Sequence, residues 1–175
     1  LRRLYNSTVE TLAMAVDAKD RVTHGHIRRV QLLSTRVAVA MGADAHVLKA
    51  LEAAALLHDL GKLAIPEHIL NKPGRLTPGE YEEIKKHSDI GASILSAVDF
   101  PFPVVPIVRH HHENWDGSGY PHGLSGTAIP LGARILSVVD CYDALTSNRP
   151  YRRRMNTDEA LDIIQSRSGR MYDPS

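Results

Sequence analysis

Residues 53–62 read AAALLHDLGK, so a run of small and apolar residues ends in a histidine followed by an aspartate. The apolar spacing predicts a helix over about residues 44–59, with Gly61 as the C′ residue that terminates it. Neighbouring positions on a helix point about 100° apart, so His58 and Asp59 could both reach a metal ion beside the helix end. A capped helix end with a solvated aspartate is the alternative interpretation.

Helical periodicity continues on both sides of this stretch. Residues 77–80, Thr-Pro-Gly-Glu, combine an N-cap threonine, a proline at the first helical position and a glutamate at the third, which predicts a helix reaching about residue 95. Strand-like alternation is scarce. We therefore expect an all-α helical bundle, with residues 1–175 forming a single domain. Further helices are predicted at about residues 1–18, 27–37, 132–147 and 157–165.

The composition is that of an ordinary globular domain, with 43% apolar and 23% charged residues in 175. A formal charge of +1 gives no general field for a nucleic-acid polymer, and no apolar run approaches the ~20 residues of a membrane span. The single cysteine, Cys141, excludes an intrachain disulfide and favours the reducing cytoplasm. The amphipathic helix at residues 1–18 either packs in a dimer or continues from an upstream sensor or receiver domain.

The chain has ten histidines, several of them in helical segments. Asp140 lies inside an apolar helix, where an uncompensated carboxylate is costly and needs a partner or a cation. Three consecutive histidines, residues 110–112, end another segment. His87 and His26, taken singly, are more often ordinary packing or surface residues. Imidazoles and carboxylates without a usable thiolate suit a hydrolytic two-metal site of iron, manganese, cobalt, nickel or zinc.

Glycine and proline dominate residues 113–130, a loop longer than a connection requires. Its segment DGSGYPHG, residues 116–123, lets the backbone approach a ligand closely. A plain surface excursion is the alternative. Four arginines follow the Asp140 helix and offer bidentate contacts to phosphate, although a solvated basic run would look the same. They are Arg149, Arg152, Arg153 and Arg154.

Several of these strings together resemble the HD-GYP family of cyclic di-GMP phosphodiesterases. The resemblance covers almost the whole chain, from about residue 10 to residue 173. Its HHE…GYP string is highly specific, whereas the HD doublet alone marks a much broader phosphohydrolase superfamily. The family implies an HD-domain helical bundle with a long GYP loop. The matching strings are HDLGK at residues 58–62, HHENWDGSGYP at 111–121, Asp140 with DAL at 143–145, and RPY at 149–151.

The resemblance also implies roles for individual residues. Lys62 would face the phosphate, and Asp143, one turn after Asp140, is a candidate to orient a ligand histidine. Asp59 would bridge two metal ions. The remaining ligands implied for one ion are His26, His58 and Asp140, and for the other His87, His111 and His112. Substrate contacts are implied at Gly119, Tyr120, Pro121, Arg149 and Arg152.

One position departs from the family. Three-metal members carry a glutamate four residues before the first ligand histidine, and this chain has Val22 there, which cannot ligate. We therefore predict two divalent or mixed-valent ions, iron or manganese first, with nickel, cobalt and zinc as alternatives. The predicted reaction is hydrolysis of cyclic di-GMP to linear pGpG by a metal-bridging hydroxide. The alternatives are a phosphodiesterase for hybrid cyclic GMP-AMP, and a non-catalytic module that binds cyclic di-GMP or a diguanylate cyclase.

Overall fold

A computed structural model describes Thr11, Ala13, Lys19 and residues 25–148 and 153–175. The predicted helix at residues 1–18 falls almost entirely outside these residues. Val22, Arg149 and Arg152 also lie outside the described residues, so the roles assigned to them stay predictions.

Helices supply the regular structure of the described residues, which include no β-strand, so the expectation of an all-α fold is confirmed. None of these helices is long and apolar enough to cross a membrane. In chain order the described elements are α1 (His26–Ala40), α2 (Ala45–Leu57), a first 3-10 turn (Leu60–Ala64), α3 (Glu67–Leu70), α4 (Pro78–Leu95), α5 (Val104–His110), a second 3-10 turn (Gly126–Ala128), α6 (Leu131–Thr146) and α7 (Thr157–Ser166).

The helices pack around a shared apolar core. Helix α1 lies against α2 and α6, and α2 also contacts α5 and α6. Helix α4 contacts α5 and the first 3-10 turn, while α7 packs on α6. The core includes Leu51, Leu57, Val108 and Leu136, which solvent does not reach. Burying each large apolar side chain is worth about 1.5–3 kcal/mol, and this packing fixes the helix ends relative to one another.

Capping side chains determine where α2 and α4 begin. The Thr77 hydroxyl accepts a hydrogen bond from the N–H of Glu80, and the Glu80 carboxylate accepts one from the N–H of Thr77. The predicted capping box is therefore present, and α4 begins at Pro78. Asp44 caps α2 by accepting from the N–H of Val47.

Gly61 does not terminate α2, so that prediction is wrong. Helix α2 ends at Leu57, and Gly61 lies inside the first 3-10 turn. A Cβ on Gly61 would lie 1.9 Å from the carbonyl oxygen of His87 and 2.7 Å from the backbone nitrogen of Gly91. The turn therefore rests directly on the backbone of α4. Glycine is needed here for that close approach, which no local pattern in the sequence reveals.

Candidate metal centre

Three potential ligands meet where α1, α2 and α6 come together. His26 is the first residue of α1, His58 directly follows α2, and Asp140 lies within α6. Their ligating atoms all lie within 4.8 Å of one another. Nε2 of His26 is 3.4 Å from Oδ1 of Asp140. Two imidazoles and a carboxylate at this spacing can hold a first-row transition ion, and we call these three residues the first cluster.

Three histidines form a second cluster beside the first. His87 lies in the middle of α4, and His111 and His112 follow the end of α5. Their ligating nitrogens also lie within 4.8 Å of one another. His87 and His111 are essentially inaccessible to solvent. The structure therefore gathers His87 into a ligand set, instead of leaving it as an isolated core or surface histidine.

Asp59 lies between the two clusters. Its Oδ2 is 3.5 Å from Nε2 of His58, and its Oδ1 is 3.6 Å from Nε2 of His87. Lys62 donates a hydrogen bond from Nζ to Oδ2 at 2.8 Å. Burial opposes ionisation of this carboxyl, but the charge and the hydrogen bond of Lys62 favour ionisation, and the pKa of Asp59 lies well below its ordinary value. A charged carboxylate thus presents one oxygen to each cluster.

Three of the histidines are anchored by the helix or turn that carries them. Nδ1 of His58, His87 and His111 bonds to the carbonyl oxygen three residues earlier, at 2.8, 2.6 and 2.6 Å. Because Nδ1 carries the proton in such a bond, Nε2 is the nitrogen with the lone pair. All three Nε2 atoms are buried without a hydrogen-bond partner among the described residues. Buried polar atoms are rarely left unpaired, so this donor set fits metal ions.

Burial also keeps the second cluster in the form that binds metals. It lowers the pKa of His87, and it lowers the pKa of His111 and of His112 well below the ordinary value. Neighbouring imidazoles add to the effect at His111 and His112. These rings are therefore neutral near pH 7, and a neutral imidazole is the ligating species.

Asp143 lies behind the first cluster and orients His26. Nδ1 of His26 donates to Oδ2 of Asp143 at 2.6 Å, and Nε of Arg29 donates to Oδ1 at 2.6 Å. Burial disfavours the charged carboxylate, but these two bonds hold the pKa of Asp143 at about 2. Burial likewise lowers the pKa of His26, yet Asp143, Asp140 and Asp59 outweigh it and raise that pKa. The arrangement aims Nε2 of His26 at the first cluster.

The loop at residues 113–130 reaches the second cluster through its glycine-tyrosine-proline segment. The Tyr120 ring stacks on His112, and the Tyr120 N–H donates to the carbonyl oxygen of His112. The peptide bond between Tyr120 and Pro121 is cis. A Cβ on Gly119 would lie 2.3 Å from the backbone nitrogen of Asn114, so the loop packs closely on the residues that follow the ligand histidines.

Glu113 fixes the backbone of this loop by hydrogen bonds. It was not predicted as a functional residue. It is 2% exposed, and its two oxygens accept from the N–H groups of His122 at 2.8 Å and Leu124 at 3.1 Å. The signal in the sequence was a carboxylate directly after the two ligand histidines. Nδ1 of His110 lies 3.4 Å from Oε1 of Glu113, and the structure places His110 outside both clusters.

A cavity of about 420 Å³ adjoins the centre. His112 and Asp140 line it, so it touches one member of each cluster. Two cationic side chains that were not predicted as site residues, Lys85 and Arg167, also line it. They come from α4 and from the C-terminal end of α7, which are distant in sequence. Cys141 lines the same cavity.

Known proteins resemble this chain in sequence over almost its whole length. Its sequence matches the HD domain family over residues 10–175. A cyclic di-GMP phosphodiesterase of Thermotoga maritima is 44% identical over 168 residues, which is 95% of this chain and 46% of the relative. A cyclic di-GMP phosphodiesterase response regulator of Xanthomonas campestris is 43% identical over 95% of this chain and 45% of its own length. The chain thus spans less than half the length of these relatives.

A solved structure shares the fold. The crystal structure of a cyclic GMP-AMP specific phosphodiesterase of Vibrio cholerae matches with a TM-score of 0.75 at 21% identity. The match covers 95% of this chain and 45% of that one. It supports the helical architecture described above.

Proposed function

This chain belongs to the HD domain family, as the sequence resemblance indicated, and we propose that it is a metal-dependent phosphodiesterase that hydrolyses cyclic di-GMP to linear pGpG. The observation that carries the proposal is the position of Asp59, which presents one carboxylate oxygen to each histidine-containing cluster. Two ions held in this way suit an in-line displacement at phosphorus. The relatives named cyclic di-GMP phosphodiesterases, at 44% and 43% identity, support this substrate.

We propose two ions, with iron or manganese first and nickel, cobalt or zinc as alternatives. Imidazoles and carboxylates without a thiolate suit these metals. The first cluster with Asp59 would hold one ion, and the second cluster with Asp59 would hold the other. When bound, the ions would supply Lewis-acid activation of water and of the phosphodiester.

The other residues of the site contact the substrate or orient a ligand histidine. Lys62 places an ammonium group beside Asp59, where negative charge develops on the phosphoryl oxygens during displacement. Asp143 holds the His26 ring in its ligating orientation. The loop would cover one side of the substrate through Gly119, Tyr120 and Pro121. Arg149 and Arg152 are proposed to contact the phosphate that is not cleaved.

Two alternatives to this function can be tested by the turnover and binding measurements described below. Hybrid cyclic GMP-AMP is the second candidate substrate, because the Vibrio cholerae protein with the same fold is named for it. A non-catalytic module that binds cyclic di-GMP or a diguanylate cyclase is the other. The gathering of His26, His58, His87, His111, His112 and Asp140 around Asp59 weighs against a module without chemistry.

The proposed partners are cyclic di-GMP, an upstream sensor or receiver domain, and diguanylate cyclases. The Xanthomonas campestris relative supports the second of these, since it is named a response regulator. We propose a cytoplasmic location, which accords with the free thiol of Cys141.

The test is turnover of cyclic di-GMP by protein purified without oxygen, with the bound metals quantified by elemental analysis. We expect pGpG to accumulate with about two ions per chain, the number suited to a bridged site. Asp59→Asn should abolish turnover and weaken binding of both ions. Asp99→Asn is the matched control, because Asp99 is an exposed carboxylate in the segment after α4 and belongs to neither cluster.

Other outcomes would redirect the proposal. Tight binding of cyclic di-GMP without turnover, under iron, manganese and nickel, would make the chain a binding module. Faster turnover of cyclic GMP-AMP than of cyclic di-GMP would make the hybrid ring the substrate.

A further inference from the structure

The cavity beside the metal centre extends away from the two clusters toward the C-terminal end of α7. Besides His112 and Asp140, its lining includes the aromatic rings of Tyr81, Tyr120 and Tyr172. At about 420 Å³, the cavity has room for one nucleoside of a substrate whose phosphodiester reaches the clusters. Tyrosine rings provide faces on which a purine can stack.

Arg167 supplies the guanidinium group of this cavity. Its backbone is well held, because its carbonyl oxygen accepts from the N–H groups of Arg170, Met171 and Tyr172. Its Nη1 lies 3.7 Å from Sγ of Cys141, the residue that directly follows the ligand Asp140. The turn after α7 thus places a cation in the cavity that Asp140 of the first cluster also lines.

The guanidinium of Arg167 contacts no carboxylate in residues 25–148 and 153–175, since Cys141 and Tyr172 are its side-chain contacts there. Two other arginines of the domain differ in this respect. Arg29 and Arg134 pair with the carboxylates of Asp143 and Asp173. Among the described residues, Cys141 and Tyr172 are the side-chain acceptors for the five N–H donors of Arg167, so its remaining donors are available to a ligand in the cavity.

We propose that Arg167 is a specificity-determining residue that donates two hydrogen bonds to O6 and N7 of one guanine of the substrate. This inference rests on the proposed function and names how the site recognises a base. The fork of an arginine matches the two acceptors on that edge of guanine. Adenine presents an amino donor in place of O6, so one N–H of Arg167 would face another donor.

A binding experiment tests Arg167 without relying on turnover. The metal-loaded protein is titrated calorimetrically with 5′-GMP and with 5′-AMP. We expect wild type to prefer GMP by about 10- to 100-fold, the discrimination typical of a bidentate arginine–guanine contact. Arg167→Ala should remove that preference. Arg170→Ala is the matched control and should keep it, because Arg170 is exposed and does not line the cavity.

A lysine variant distinguishes a base contact from a phosphate contact. Lysine keeps the charge but lacks the planar fork, so Arg167→Lys should lose most of the preference for GMP. Full preference in Arg167→Lys, or equal binding of the two nucleotides by wild type, would overturn the proposal. A preference that survives in Arg167→Ala would overturn it as well.

Turnover measured in parallel separates this proposal from the proposed function. Wild type that prefers GMP through Arg167 but cleaves no cyclic di-GMP would refute the phosphodiesterase and keep the base contact. If Arg167→Ala cleaves cyclic di-GMP and binds GMP as well as wild type does, the phosphodiesterase is supported and the base contact is refuted.

Discussion

Tyr120 stacks on His112 with their ring centroids 4.9 Å apart and their planes inclined by 28°. The contact joins the glycine- and proline-rich loop to a histidine of the second cluster. The position of the loop and the orientation of that imidazole are therefore coupled, and a change in either ring affects the other.

Replacing Tyr120 tests this coupling. Tyr120→Ala should raise KM for cyclic di-GMP by about 2- to 10-fold, since an aromatic pair contributes about 0.5–1.5 kcal/mol. Tyr120→Phe keeps the ring and should behave like wild type. Steady-state kinetics with metal analysis checks both. A large fall in kcat for Tyr120→Phe would instead assign a chemical role to the phenol.

Replacing Gly61 tests the contact between the first 3-10 turn and α4. Gly61→Ala drives a Cβ into the carbonyl oxygen of His87 and should lower the free energy of unfolding by about 1–3 kcal/mol. Turnover should fall as well, because the turn follows Asp59 and contains Lys62. Gly79→Ala is the control. It lies in α4 with open space around it, and should be neutral or stabilising in urea unfolding.

Replacing Lys62 separates metal binding from phosphoryl stabilisation. Lys62→Met should keep both ions, since no ammonium group ligates a metal, and should lower kcat by roughly 10²-fold. Elemental analysis and single-turnover kinetics measure the two effects separately. Loss of the ions in Lys62→Met would show that Lys62 positions Asp59 for metal binding. It would contradict a role of Lys62 confined to phosphoryl stabilisation.

Replacing Glu113 tests how the loop is held. Glu113→Gln keeps the volume but leaves one of two backbone N–H groups facing an amide donor, a defect that costs about 1–3 kcal/mol when buried. We expect a lower melting temperature and a higher KM with unchanged metal content. His122→Ala keeps the N–H that Glu113 accepts and should change little. Equal effects of both variants would contradict this assignment.

The capping box of α4 predicts a pH dependence of stability. The hydrogen bond from Lys72, with those from Thr77, lowers the pKa of Glu80 from 4.5 to about 2. Between these values the unfolded chain binds a proton that the folded chain does not, so the stabilisation is complete above about pH 4.5 and is lost as the pH falls toward about 2. Glu80→Gln lacks this contribution.

Urea unfolding of wild type and Glu80→Gln across this pH range measures the effect. The difference between the two proteins should shrink with acidification and disappear below about pH 2. Lys72→Met should reduce the pH dependence of the wild-type chain. A difference that stays constant with pH would refute the role of the charged carboxylate.

Features of the fold that depend on neighbours in sequence could be predicted. The capping box at residues 77–80 was predicted, and so were the approximate bounds of α2, α4, α6 and α7, because caps and apolar periodicity act within a few turns. His58, Asp59, His111, His112 and Asp140 lie in strings that match the family, whereas His26 and His87 are ligand candidates only through the family resemblance. The structure brings all seven together.

Features that depend on tertiary contacts could not be predicted. The sequence predicts Gly61 as a helix terminator because glycine often ends helices, but the residues that Gly61 contacts, His87 and Gly91, lie in another helix. Arg167 reaches the cavity from the end of α7, and no local signal connects it to Asp140. Arg29 likewise reaches Asp143 across 114 positions of the chain.

The bonds from His58, His87 and His111 to nearby backbone carbonyls have a consequence for how the protein acquires its ions. The tautomer of each ring is chosen by the backbone once the local helical turn forms, so the nitrogens are aimed before any ion arrives. Selectivity among first-row metals then follows from the ligand types, the geometry of the two clusters and the supply of each metal in the cell. The identity of an ion bound there would then vary with metal supply while the polypeptide stays the same.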